Sequence, residues 1–245
     1  MVITPPARPT PRQRRSAALR STVVLKAVMA VSGLVMVLYL LAHMYGNLKV
    51  FAGQASFDGY ADFLRTVGEP LLPFGGLLWI VRVVLGVAVV AHIFSAVVLW
   101  RRSRHATAGG GGGRYESTKA RTGVQRSYAS FTMRWGGVTL LLFIVFHVLQ
   151  LSADNVIHPG GASVSPYERV VNGFGIWWVV LVYTVALLAL GLHLRHGFWS
   201  AFASLGANTS AARRRHLNQV AVGVSLVITI GFLLPPYAIL LGWTG

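Results

Sequence analysis

The stretch VRVVLGVAVVAHIFSAVVLW, residues 81–100, decides the fold. It is apolar on every side of a helix, has no strand-like alternation, and its only ionisable residues are Arg82 and His92. Twenty such residues match the length that crosses about 30 Å of hydrocarbon as an α-helix. A membrane β-barrel needs shorter segments in which apolar and polar residues alternate. The run from Leu140 to Leu151 has the same all-round apolar character.

Working outward, the chain holds five such segments, at about 24–46, 72–100, 133–153, 173–203 and 218–242. Composition agrees: 54% of the 245 residues are hydrophobic, 11% are charged, and mean hydropathy is +0.60. A soluble domain with one core is excluded, and the expected fold is an all-α, five-transmembrane-helix bundle. The second and fourth segments exceed a perpendicular span and must tilt or project. Residues 1–23 form a basic segment ahead of a transmembrane domain over 24–245, and residues 101–132 form a flexible loop containing Gly109 to Gly113. The first span is too long for a secretory signal and no small-x-small cleavage site follows it, so it is expected to stay attached.

Charge sets the expected orientation. Of the 22 basic residues, 18 fall before the first span, between the second and third, or between the fourth and fifth. The positive-inside rule makes those segments cytoplasmic, with the N-terminus inside and the C-terminus outside. Five of the six acids, Asp58, Asp62, Glu69, Asp154 and Glu168, fall in the other two connections. The net charge of +16 is thus explained by topology; anionic lipid or an acidic partner suits it better than nucleic acid.

Four of the five spans carry a histidine: His43, His92, His147 and His193. Counted from the basic residues at the span ends, His43 and His147 lie in the outer half and His92 and His193 in the inner half. Two levels with two histidines each is the arrangement that bis-histidine ligation of two stacked b-type haems requires. A single intramembrane histidine is adequately explained by an interhelical hydrogen bond; four, paired by depth, point to function. His196, three residues after His193, is the alternate inner ligand. His105, His158 and His216 are read as solvated loop residues. Arg82 and Arg195 are candidates to meet a propionate or a quinone oxygen, although snorkelling and positive-inside anchoring explain them equally well. Trp177, Trp178 and Trp243 are read as interfacial belt residues. Without cysteine the chain cannot supply cluster thiolates or a covalent haem site; a Rieske-like [2Fe–2S] centre on a histidine pair would need two cysteines from a partner.

The segments His43-Met44-Tyr45-Gly46-Asn47-Leu48, Ala91-His92, Phe146-His147 and Gly191-Leu192-His193-Leu194-Arg195-His196-Gly197-Phe198-Trp199-Ser200 resemble the five-helix, single-anchor cytochrome b subunit of succinate dehydrogenases and fumarate reductases, the type found with menaquinone. The resemblance runs from the first span to the last. It implies a bacterial cytoplasmic-membrane subunit of respiratory complex II. Such a subunit anchors a flavoprotein, with its FAD, and an iron–sulfur protein, and passes electrons from succinate to quinone. Succinate chemistry would belong to the flavoprotein. It also implies that His92 and His193 hold the inner haem b and His43 and His147 the outer one. Quinone would bind near a redox group, with Arg82, Glu69 and Tyr60 as outer-side candidates. A higher oligomer of the complex is compatible with this reading. A cytochrome b of another respiratory enzyme, a transporter and a haem-free anchor are the competing readings.

Overall fold

The computed structural model describes residues 21–108, 124–151 and 156–243, with side chains over 21–105, 132–151 and 156–243. Most of the basic N-terminal segment, the Gly109 to Gly113 run and Asp154 lie outside the described residues.

Among the described residues every regular element is helical. In chain order these are α1 (Thr22–Leu48), a short 3-10 turn (Lys49–Ala52), α2 (Gln54–Thr66), α3 (Gly76–Ala108), α4 (Val124–Leu151), α5 (Pro166–Phe174), α6 (Trp177–Ser204) and α7 (Ala211–Leu240). Five of these, α1, α3, α4, α6 and α7, are long and apolar enough to cross a membrane.

Capping, rather than hydropathy, fixes where α1 and α7 begin. The Ser21 hydroxyl accepts from the Val24 amide and the Ser210 hydroxyl from the Arg213 amide, each at 3.2 Å. Each bond satisfies an amide that a helix N-terminus leaves unpaired. The fifth long helix therefore starts at Ala211, well before the apolar run expected from 218, and takes in Arg213 to His216. At 33 residues, α3 is about 50 Å long and projects beyond the hydrocarbon. His105 and His216, expected in loops, lie instead on these helical extensions, because helix-forming sequence continues past the apolar stretch. Pro235 and Pro236 do not end α7, which runs on to Leu240 with both prolines buried.

Helices in lipid gain little from burying apolar surface against each other, so close approach depends on small residues. The α6–α7 contact is the most extensive, and Gly191 makes it. A Cβ there would stand 2.5 Å from Thr229 Oγ1, and the Ser225 hydroxyl donates to the Gly191 carbonyl at 2.6 Å. On a different face of α7, Gly231 leaves the space that the Met44 thioether of α1 occupies. Val37, Leu194 and Ile228 join α1, α6 and α7 in a buried cluster. Helix α3 packs on α1, and α4 packs on α6. The histidine-bearing helices α1 and α4, and likewise α3 and α6, are not packed pairs among the described residues.

The short helices α2 and α5 close one end. Phe57 of α2 and Val170 and Phe174 of α5 pack with Val179, Val180 and Ile239 of the long helices. Asp58 joins the two, accepting from the Ser165 hydroxyl at 2.7 Å and from the Tyr167 amide at 2.9 Å. The carboxylate lies at the N-terminus of α5, where negative charge is favoured. Ser165 also accepts from the Glu168 amide at 3.2 Å, so one hydroxyl caps α5 and ties it to α2.

The natural absence of cysteine gives a direct test of orientation. Val164, 99% exposed near α5, and Leu205, 48% exposed beyond α6, lie in connections expected on opposite sides. With Val164→Cys, a membrane-impermeant maleimide should label intact cells. With Leu205→Cys it should label only after permeabilisation, and the reverse pattern would invert the topology.

Candidate functional site

The four span histidines meet as two pairs. His43 of α1 and His147 of α4 lie edge to face, with ring centroids 5.8 Å apart at 79°. His92 of α3 and His193 of α6 lie 6.2 Å apart at 57°. Each pair bridges two helices that are not otherwise packed together, so the imidazoles reach across an interhelical gap.

The pairs occupy two levels. Gly33 of α1 faces the His92 ring and Gly137 of α4 faces the His193 ring, at 3.4 and 3.8 Å from where a Cβ would stand. On each of these helices the histidine of the other pair, His43 or His147, comes ten residues later. On α6, Tyr183 touches His147 and His193 again comes ten residues later. Ten residues of helix advance about 15 Å.

Each ring is held differently. His92 Nδ1 lies 3.1 Å from the Met29 carbonyl and 3.3 Å from Ser32 Oγ. The Ser32 hydroxyl donates to the Val28 carbonyl at 2.7 Å, so His92 Nδ1 is the proton donor and Nε2 keeps its lone pair. His147 Nδ1 lies 3.0 Å from the Tyr183 hydroxyl, which donates to Gln150 Oε1 at 3.0 Å. With the phenolic hydrogen committed to Gln150, His147 Nδ1 must also donate, again leaving Nε2 as an electron-pair donor. His43 stacks on Tyr39, one turn earlier, at 5.3 Å and 11°, with Phe232 at 5.7 Å. His193 Nδ1 is a buried nitrogen with no hydrogen-bond partner among the described residues.

Among the described residues no three metal-ligating side chains converge. Paired imidazoles do not supply the three or four protein ligands of a zinc site. They suit a group that brings its own equatorial ligands and takes only axial ones, as haem does. An ion held between two imidazole nitrogens at about 2.0 Å each places the ring centroids roughly 6 Å apart, which both pairs match. The donor set fits haem b.

The remaining expected residues fall around these pairs. The ring against His92 is that of His193; His196 is one turn further along α6, and its buried Nε2 has no hydrogen-bond partner among the described residues. Arg82 is exposed and lies 5.0 Å over the Trp79 ring, and Arg195 is exposed on α6. Tyr60 belongs to a clamp in which Lys49 Nζ lies 5.1 Å from the Tyr45 ring and 5.9 Å from its own. Glu69 is exposed in the connection between α2 and α3. Sequence reasoning passed over Tyr183, Gln150 and Ser32. Gln150 carried a signal, being an amide one turn from a histidine inside an apolar run.

Substitution of Gly33 tests this geometry. In Gly33→Leu the added carbons beyond Cβ would overlap the His92 ring and overpack the α1–α3 contact, at a cost of about 1–3 kcal/mol. Thermal unfolding in detergent should shift downward, whereas Gly59→Leu, with open space around its Cβ, should leave the transition in place.

No family model, curated protein or solved structure matches the chain.

Proposed function

We propose that the chain is the membrane-anchor and electron-transfer subunit of a succinate:quinone oxidoreductase in the bacterial cytoplasmic membrane. In this reading it carries two b-type haems. The observation behind the haems is the meeting of four span histidines as two facing pairs, at 5.8 and 6.2 Å and at two levels. Support for the succinate enzyme comes from the resemblance of the four histidine segments to the single-anchor cytochrome b subunits.

His92 and His193 would hold the inner haem and His43 and His147 the outer one. The haem iron supplies one-electron exchange between its ferric and ferrous states. The protein's part is to fix and insulate. Met29 and Ser32 orient His92, Tyr183 orients His147, and Gly33 and Gly137 leave room beside the inner rings. The surrounding apolar helices keep water from the four imidazoles. The basic cytoplasmic segments, including Arg213 to Arg215 at the start of α7, form the docking face for the iron–sulfur and flavoprotein subunits. Menaquinone, or another quinone, is the electron acceptor in the bilayer. The pairing of His193 with His92 favours His193 over His196 as the inner ligand.

A pyridine haemochrome assay on the complex purified through this chain, with a reduced-minus-oxidised spectrum, tests the reading. It should count two b haems per chain, copurifying with a flavoprotein and succinate-to-quinone activity. His92→Ala or His193→Ala should each remove one of the two haems and most of that activity. A haem-free wild-type complex, or histidine variants that keep both haems, would sink the proposal.

A further inference from the structure

The two histidine pairs differ in what stands behind their rings, and the difference has an electronic consequence. His147 Nδ1 donates to Tyr183 Oη over 3.0 Å, and that hydroxyl donates to Gln150 Oε1 over 3.0 Å. The relay is enclosed: Tyr183 is 5% and Gln150 3% exposed. The phenol ring is clamped between Phe143, at 4.8 Å and 90°, and Phe174, at 4.7 Å and 88°. His193, by contrast, has a buried Nδ1 without such a partner among the described residues.

We infer that Tyr183, oriented by Gln150, is a positioning residue that sets the electron-donating strength of His147 and thereby lowers the reduction potential of the outer centre. This rests on the haem reading above. The physical chain is short. A hydroxyl that donates onward to a carbonyl is polarised, and its oxygen becomes a better acceptor. A stronger acceptor at Nδ1–H leaves more electron density on the imidazole and raises its basicity as a ligand. A more basic axial ligand favours the more positive, ferric state. The Nδ1 proton stays on His147 throughout, and one electron per iron is the only net change between the two states.

Tyr183→Phe removes the oxygen and keeps the ring, with both edge contacts. Redox potentiometry and electron paramagnetic resonance on the purified complex read the result. Wild-type haem content is measured first, because a haem-free complex defeats the haem reading itself, before Tyr183 is at issue. With two haems present, Tyr183→Phe should raise the midpoint of the centre that His147→Ala abolishes. The expected size is a threefold to tenfold shift in its reduced-to-oxidised ratio, the upper figure being about 59 mV for one electron. Its ferric g-values should move, and the midpoint of the other centre should not. Gln150→Met leaves the phenol but removes its acceptor; it should shift the same midpoint upward by less, and it carries the test if Tyr183→Phe does not assemble. Two haems with an unmoved or lowered outer midpoint would overturn the inference while leaving the haem reading intact.

Discussion

The contact between α6 and α7 at Gly191 is the constraint on which both histidine pairs depend. Lipid offers helices no hydrophobic reward for packing, so the two are held by surface fit and by the Ser225 hydroxyl on the Gly191 carbonyl. Helix α6 contributes to both levels at once, through His193 at one and Tyr183 at the other. Fixing its position and rotation against α7 therefore fixes one side of each site. Helix α1 plays the complementary part, with Gly33 beside one pair and His43 in the other, and it is set against α7 where Met44 fills the space left by Gly231.

The ten-residue interval between levels has a rotational meaning. At about 100° per residue, ten residues bring a helix face round to roughly 80° short of its starting direction. A helix that faces one neighbour at the first level thus faces a different one at the second. On α1, Gly33 looks toward α3, whereas His43 looks toward α4. The two sites are not copies stacked in register; each is built by its own pair of helices across its own gap. That explains why the groups behind the rings differ, with a backbone carbonyl behind His92, a phenol behind His147, and no partner for His193 Nδ1 among the described residues.

The long helices were legible because apolar character over twenty residues has one solution in a bilayer, whatever the neighbours. Their ends were not, since Ser21 and Ser210 set them by capping amides and α7 begins among arginines. The histidines could be sorted by depth from their distance to the charged ends, and the structure brings together His43 with His147 and His92 with His193. The helix α5 was announced by Ser165-Pro166 with Glu168 two residues on, a capping signature that is easily passed over between longer apolar runs. Tyr183 gave no signal, because a tyrosine in a span reads as packing until the histidine opposite it on another helix is known.

The bond from Ser165 to Asp58 joins residues 107 positions apart, and this separation orders events during synthesis. A ribosome adding about 5–20 residues per second needs roughly 5–20 s to travel from one partner to the other. The contacts of His92 with Met29 and Ser32 close a single helical hairpin and are available as soon as α3 follows α1 into place. The clasp between α2 and α5 must wait for one further long helix, α4, and for α5 itself to emerge. Until then Asp58 is without the Ser165 hydroxyl and the Tyr167 amide that it accepts from. The protein is thus built from the first hairpin upward, the clasp following α4, and the polar seam of Ser225 and Gly191 between α6 and α7 closing after both.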